Sequence, residues 1–180
     1  VWWLMMLAAS IILSMWFAIV LLGTLVRDII HQLNDERLRD PLTHLFNRRG
    51  FNEAAKRKLH QLSKQSYFLL MCDIDHFKKI NDTYGHLVGD QILQQVGHII
   101  GQNVREHDLV GRFGGEEFIV LLQIDDPTLA YNIANRIRLG IADARLSSKS
   151  IAVTASFGLA AVHQPNLKYA IHDADQLLYQ

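Results

Sequence analysis

The chain has 180 residues, which is enough for one ordinary domain and an additional segment. Its 18 basic and 18 acidic residues balance, which excludes the basic excess typical of proteins that bind a nucleic acid polymer. The single cysteine, Cys72, excludes a disulfide framework and a cysteine-based zinc site.

The first 26 residues contain no charged residue and are mainly apolar. About 20 apolar residues suffice for a helix to cross a membrane, whereas a signal peptide has an apolar core of roughly 7–15 residues after a basic start. Residues 1–26 therefore predict a transmembrane helix in contact with the lipid bilayer. The arginines from Arg27 onward predict that the rest lies on the cytoplasmic side of the inner (plasma) membrane. The start at Val1, rather than Met, favours a fragment that lacks an earlier sensor region.

Residues 27–39 are polar, with apolar residues recurring mostly at steps of three to five: Val26, Ile29, Ile30, Leu33 and Leu38. This spacing predicts a helical linker with a narrow apolar seam. The seam is barely two heptads long, so a paired helix in a dimer and a simple linker both fit it.

Residues 40–180 predict one further domain. Asp40-Pro41 ends the linker helix, because the residue before proline avoids the helical conformation. After a loop, helices are predicted over about 51–63, 77–80, 88–104, 127–144 and 169–180, and strands over about 67–72, 108–113, 118–122 and 150–162. This order predicts an α/β fold, an α+β sandwich in which helices pack on the faces of a mixed sheet.

Four residues between two predicted strands, Gly114-Gly115-Glu116-Glu117, predict a hairpin turn in which glycine supplies positive φ. Glycine also lets a ligand approach the backbone, and neighbouring carboxylates hold hard divalent cations. An ordinary solvated turn fits the same residues, so a functional interpretation depends on what lies beside the turn.

Asp73 and Asp75 follow the apolar run of a buried strand, and strand alternation places both on one face, with the Ile74 carbonyl nearby. Charges at such a position are costly unless they are paired or bound to metal, although a strand end that emerges into water also explains them. Beside the hairpin, Asp73, the Ile74 carbonyl and Glu116 would form an oxygen-only site of the kind that Mg²⁺ or Mn²⁺ shares with phosphates.

Two loops follow the strand. In His76-Phe77-Lys78-Lys79, backbone N–H groups and a lysine at the start of a helical turn would hold phosphates. In the second loop, Asn81 and Asp90 are side chains that read a nucleobase edge by hydrogen bonds. A solvated basic turn, a turn former and a helix-start residue are the ordinary alternatives.

Several of these segments together resemble the GGDEF-domain diguanylate cyclases, from about residue 40 to the end. The matching segments are Asp40-Pro-Leu-Thr, Asn47-Arg-Arg, Asp73-Ile-Asp-His-Phe-Lys-Lys-Ile-Asn-Asp-Thr-Tyr-Gly-His, Gly89-Asp90, Arg112-Phe-Gly-Gly-Glu-Glu-Phe, Ser156-Phe-Gly and Ala174-Asp175. The resemblance implies condensation of two GTP molecules into cyclic di-GMP, with release of pyrophosphate, by a homodimer whose domains face each other. It also implies a sheet like that of nucleotidyl cyclases and polymerase palms.

By position, the resemblance assigns the catalytic role to three carboxylates: Asp73, Glu116 and Glu117. It assigns divalent ions, Mg²⁺ or Mn²⁺, to Asp73, the Ile74 carbonyl and Glu116. The substrate-binding set that it implies is Phe77, Lys78, Asn81, Asp90, Gly114 and Gly115. In that set, Lys78 and the Phe77 backbone face the phosphates, Asn81 and Asp90 recognise guanine, and the two glycines leave room for the nucleotide.

Arg105 and Asp108 form an Arg-x-x-Asp string that ends six positions before Gly114, the spacing of the product-inhibition site in the family the chain resembles. An arginine binds phosphate or guanine through two hydrogen bonds, so the string predicts feedback binding of cyclic di-GMP. A local ion pair at a helix end is the alternative.

Two departures from the family pattern stand out. His44 occupies a position where the family often has glycine, and the family continues beyond Gln180 with a lysine and an arginine that contact the triphosphate. One alternative function is a catalytically silent cyclic di-GMP receptor that binds through Arg105 and Asp108, although such receptors usually lose the turn carboxylates. A simple dimerisation module explains none of the acidic and amide placements.

Overall fold

The computed structural model describes residues 2–61, 66–163 and 167–178, and only the backbone of residues 4, 8, 9, 12, 28–36 and 61. The chain forms two compact units, Val1–Arg37 and Leu38–Gln180. The second unit carries all the residues for which a functional role is predicted.

Helix α1 runs from Trp2 to Leu38 without interruption. Large apolar side chains such as Trp2, Trp16 and Phe17 are exposed along it. Even so, no helix in the described part of the chain is long and apolar enough to cross a membrane. The structure therefore does not support the transmembrane helix predicted over residues 1–26. The side chains at positions 29, 30 and 33 of the predicted seam lie outside the described residues, and the location at the membrane stays a prediction.

The second unit contains seven strands and five helices within the described residues. The strands are β1 (Phe46–Asn47), β2 (Tyr67–Ile74), β3 (Leu109–Gly114), β4 (Glu117–Gln123), β5 (Arg145–Leu146), β6 (Ile151–Ala152) and β7 (Ala155–Val162). The helices are α2 (Arg48–Gln61), α3 (Phe77–Tyr84), α4 (His86–Gln102), α5 (Pro127–Asp143) and α6 (Leu167–Leu178). Five strands form one sheet in the order β1-β3-β4-β2-β7, and β5 pairs with β6. Only β1 and β3 are parallel in the large sheet, so the predicted mixed sheet is confirmed.

Both faces of the large sheet are covered by apolar side chains, because successive residues of a strand point to opposite faces. Leu70 and Cys72 of β2 pack in one cluster with residues of α3, α4 and α5. Leu69 and Met71 pack in a second cluster with residues of α2 and α6. The continuous apolar run that predicts a buried central strand therefore corresponds to β2, which has a helical layer on each side.

Short strands were not predicted. The loop expected after Asp40 contains β1, and α2 begins at Arg48. The single strand predicted over 150–162 is divided into β6 and β7, and β6 pairs with β5 across a loop in which Ser147 and Ser150 have positive φ. Strands of two residues carry no alternation, so their formation depends on distant partners: the amide of Ser148 donates to Gln91 Oε1 at 3.0 Å.

His44 lies in the left-handed region of backbone conformation, with φ 59°. This conformation costs a non-glycine residue about 1–2 kcal/mol, and glycine adopts it without that cost. We expect His44→Gly to stabilise the fold by about 0.5 kcal/mol, because the greater freedom of glycine in the unfolded chain offsets part of the gain. Urea unfolding measures the change. His44→Ala keeps the strain and is expected to give no gain, and a glycine variant less stable than the alanine variant would contradict the assignment.

Candidate active site

The β3–β4 hairpin turns through Gly115 and Glu116, since Gly114 pairs with Glu117 after a register shift that begins at Arg112. The prediction that the turn uses positive φ is wrong: among the described glycines, only Gly85 has it. An added Cβ would also meet little here, because the one close atom is the end of a flexible side chain. A Cβ atom on Gly114 would lie 2.7 Å from Oε2 of Glu117, whereas a Cβ on Gly115 would meet nothing within 4 Å. The turn is therefore open on the side of Gly115.

Asp73 lies near the C-terminal end of β2, with its Cα paired to Glu117 in β4 and to Ser156 in β7. Burial raises the pKa of Asp73 to about 6, together with the negative charges of Glu116, Glu117 and, to a smaller extent, Asp75 and Asp175. The structure thus brings the three predicted catalytic carboxylates together. Asp175 of α6 also lies close enough for its charge to affect Asp73. The sequence did not predict this proximity.

The carboxylates around Asp73 concentrate negative charge near the end of β2. Within the described residues, no basic side chain forms a salt bridge with Asp73, Glu116 or Glu117. No group of three or more His, Cys, Asp or Glu side chains there has the arrangement of a metal site. The predicted ligand set contains only two carboxylates, and its third oxygen is the carbonyl of Ile74, whose side chain is buried. Hard cations accept such mixed carboxylate and carbonyl sets.

Asp75 has a different function from Asp73. It follows β2, and its carboxylate accepts hydrogen bonds from the hydroxyls of Thr154 at 2.6 Å and Ser156 at 2.7 Å. Its amide donates to the carbonyl of Thr154 at 3.0 Å. These bonds fasten the end of β2 to the start of β7, so Asp75 stabilises the strand end that presents Asp73.

Arg112 connects the hairpin turn to the segment that precedes β1. Its Nε and Nη2 donate to the carbonyl of Gly115 at 2.9 and 2.7 Å, and its Nη1 donates to the Asp40 carboxylate at 3.1 and 3.3 Å. Asp40 also accepts from the amide and hydroxyl of Thr43. Burial alone would raise the pKa of Asp40, but these hydrogen bonds and the charge of Arg112 lower it below its usual value. The sequence did not predict this contact, although Asp40 and Arg112 both lie in segments that match the family.

The predicted guanine-binding residues lie at the corner between α3 and α4. Gly85, with φ 86°, joins the two helices, and Gly89 packs directly against Oδ1 of Asn81. That oxygen is buried and has no hydrogen-bond partner in the described structure. Asp90 is exposed next to Gly89. An unsatisfied buried acceptor costs about 1–3 kcal/mol, so this oxygen would gain from an N–H donor that reached it.

Phe77 and Lys78 begin α3 directly after the turn that contains Asp75 and His76. The side chain of Phe77 is buried in the core, so only its backbone is available to a ligand. Lys78 is exposed. Phe77 and Lys78, the predicted phosphate-binding pair, thus lie only a few residues after Asp73 and Ile74 in the chain.

The predicted product-binding residues, Arg105 and Asp108, differ in exposure. Asp108 is 8% exposed, and its oxygens accept from the amides of Arg105 at 2.8 Å and Gln123 at 3.0 Å. Asp108 therefore organises the turn that enters β3. The side chain of Arg105 is exposed, and among the described residues the structure shows no ion pair between the two side chains.

The family model described as "Diguanylate cyclase, GGDEF domain" matches residues 37–180. The chain is 41% identical over 150 residues to the probable diguanylate cyclase DgcT of Escherichia coli (strain K12), covering 79% of this chain and 33% of that protein. It is 36% identical over 156 residues to the diguanylate cyclase DgcP of Pseudomonas aeruginosa, covering 82% and 23%. The chain therefore spans less than half the length of these relatives.

Solved structures show the same fold. The structure of diguanylate cyclase SiaD in complex with its activator SiaC, from Pseudomonas aeruginosa, has a TM-score of 0.76 and 34% identity, covering 87% of this chain and 62% of that chain. The coiled coil and GGDEF domain of DgcB from Caulobacter crescentus, in complex with c-di-GMP, has a TM-score of 0.80 and 27% identity, covering 87% and 86%.

Proposed function

The chain belongs to the GGDEF-domain family of diguanylate cyclases, and from this premise we propose that it condenses two GTP molecules into cyclic di-GMP. In this reaction the 3′-oxygen of each GTP bonds to the α-phosphorus of the other. Both bonds between α- and β-phosphates break, and two pyrophosphates leave. The observation that supports the proposal most strongly is the group of carboxylates around Asp73 beside the open hairpin turn.

The divalent ion, Mg²⁺ or Mn²⁺, would be held by Asp73, Glu116 and the carbonyl of Ile74. When bound, such an ion stabilises charge on the α-phosphate and lowers the pKa of the attacking hydroxyl. Glu117 increases the negative charge at the site and so favours a divalent cation. Gly115 leaves the space in which the nucleotide lies against the turn.

Substrate specificity would come from Asn81 and Asp90. Guanine presents N–H donors on its Watson–Crick edge, and the buried oxygen of Asn81 and the carboxylate of Asp90 are acceptors. Adenine lacks this pair of adjacent donors and would leave the oxygen of Asn81 unsatisfied, a situation that discriminates strongly between substrates. Lys78 and the backbone of Phe77 would bind the phosphates.

Each domain would bind one GTP, so the reaction requires two domains that face each other, and we propose that the active species is a homodimer. Incubating the chain with GTP and Mg²⁺ tests the activity by chromatography of the products. GTP should give cyclic di-GMP, and ATP should give no cyclic dinucleotide. A folded chain that binds GTP and metal but forms no cyclic di-GMP at any protein concentration would contradict the proposal.

Product feedback would depend on Arg105, whose side chain is exposed. We expect Arg105→Ala to weaken the binding of cyclic di-GMP at least tenfold, because hydrogen bonds to a charged group contribute about 1.5–3 kcal/mol. Titration calorimetry measures the affinity, and Glu106→Ala provides a neighbouring exposed control. Asp108→Ala is a poor test, because it removes the acceptor of two backbone amides. Unchanged affinity in Arg105→Ala would remove Arg105 from the product site.

A further inference from the structure

A cavity of about 670 Å³ lies between α2 and α6 and reaches β3. Four of its lining residues on α2 are spaced four residues apart, which places their side chains in one row along the helix: Arg48, Asn52, Lys56 and His60. On the other side, α6 contributes Lys168 and Ile171, and Phe113 of β3 completes the wall. No carboxylate is found among the described residues that line the cavity.

The charge of this cavity does not follow from composition, because the chain as a whole has no net charge. Arg48, Lys56 and Lys168 are cationic at neutral pH. Positive side chains around a concave surface raise the local potential and concentrate anions there. The nearest acidic residue of α2, Glu53, pairs with Arg49 at 2.9 Å and does not line the cavity. The cavity therefore favours an anionic ligand.

The cavity also has an apolar part. Phe113 and Ile171 present aromatic and aliphatic surface, and the guanidinium of Arg48 lies 4.7 Å from the centre of the Phe113 ring. Ligand pockets of about 300–1,000 Å³ commonly combine such surface with a few charged groups. We propose that this cavity binds a phosphate-bearing molecule of about nucleotide size, with its phosphate on the cations of α2 and its ring on Phe113.

Two segments that line the cavity also lead to the carboxylates around Asp73. Phe113 directly precedes Gly114 of the hairpin, and Ile171 lies one helical turn before Asp175. A ligand in the cavity therefore contacts both segments that lead to the carboxylates, which would couple its binding to turnover if it changes their positions. This regulatory consequence rests on the proposed cyclase function, whereas ligand binding itself does not. The cavity is separate from the predicted product site, since neither Arg105 nor Asp108 lines it.

Adenosine 5′-monophosphate is the probe that tests the cavity, because it has a phosphate and a ring but lacks the pair of adjacent N–H donors by which guanine would bind Asn81 and Asp90. We expect the metal-free chain to bind it in titration calorimetry. Lys56→Gln should weaken this binding at least tenfold. Lys58→Gln removes the same charge from a position of α2 that does not line the cavity, and it should leave the affinity unchanged. In NMR spectra, the probe should shift the resonances of Phe113 and Ile171.

Equal affinity of Lys56→Gln and the unaltered chain would overturn the assignment. Inorganic phosphate binding as tightly as the nucleotide would overturn the role of Phe113 and the apolar surface. The two proposals fail separately. If the probe binds in a Lys56-dependent way and the chain makes no cyclic di-GMP, the ligand site is supported and the cyclase function is contradicted. If the chain makes cyclic di-GMP and does not bind the probe, the cyclase function is supported and the ligand site is contradicted.

Discussion

Glu116→Gln is expected to lower the rate of cyclic di-GMP synthesis by at least about 100-fold, the order of loss produced when one charge-stabilising group leaves an active site. Glu116 occupies the hairpin turn, and its negative charge contributes to the raised pKa of Asp73, so the two carboxylates are close. Glutamine keeps the size of the side chain and removes the charge that a divalent ion requires. Turnover at saturating GTP and Mg²⁺ measures the effect.

A matched control is Glu53→Gln, which removes a carboxylate from an exposed ion pair on α2 and should leave turnover unchanged. Thermal unfolding should show that Glu116→Gln is folded. The variant should also lower the pKa of Asp73 from about 6 toward its ordinary value, because one of the repelling charges is gone. Wild-type turnover in the variant, or an unchanged pKa of Asp73, would show that Glu116 is not part of the metal site.

The sequence predicts elements whose cause is local. An apolar run of the length of 67–72 is buried on both faces wherever it forms a strand, and it does so in β2. The hairpin is also where the glycines and flanking strands predict it. The predicted backbone conformation was wrong, because neither Gly114 nor Gly115 has positive φ.

Contacts between distant segments could not be predicted. Arg112 and Asp40 are 72 residues apart, and neither has a local pattern that identifies its partner. Asp175 approaches Asp73 only because α6 packs on the sheet. Asp75 is held by the hydroxyls of Thr154 and Ser156, which come about 80 residues later in the chain. The sequence therefore predicts which residue types form the site, whereas the tertiary structure decides which of them face a ligand and which stabilise the scaffold.

Asp73→Asn is expected to abolish synthesis of cyclic di-GMP and also to stabilise the metal-free fold at pH 7.5. The folded-state pKa of Asp73, about 6, lies above its ordinary value of 3.8, so folding favours the protonated form. Stability of the unaltered chain therefore falls as pH rises from about 4 to about 6 and remains low above that range. Asparagine carries no charge and avoids this loss. After allowance for solvent screening, we expect a rise in Tm on the order of 3 °C.

The pH dependence and the effect of metal identify the cause of this rise. At pH 3.5 the difference in Tm should largely disappear, because Asp73 is then protonated in the folded chain and in most molecules of the unfolded chain. Saturating Mg²⁺ should raise the Tm of the unaltered chain and have little effect on Asp73→Asn, since the cation binds only where the charge is present. Asp82→Asn, at an exposed position of α3, should change neither quantity. A metal-free Asp73→Asn chain less stable than the unaltered one at pH 7.5 would show that partners within the fold stabilise the charged Asp73. An equal rise in Tm with Mg²⁺ in both chains would exclude Asp73 as a ligand of the cation.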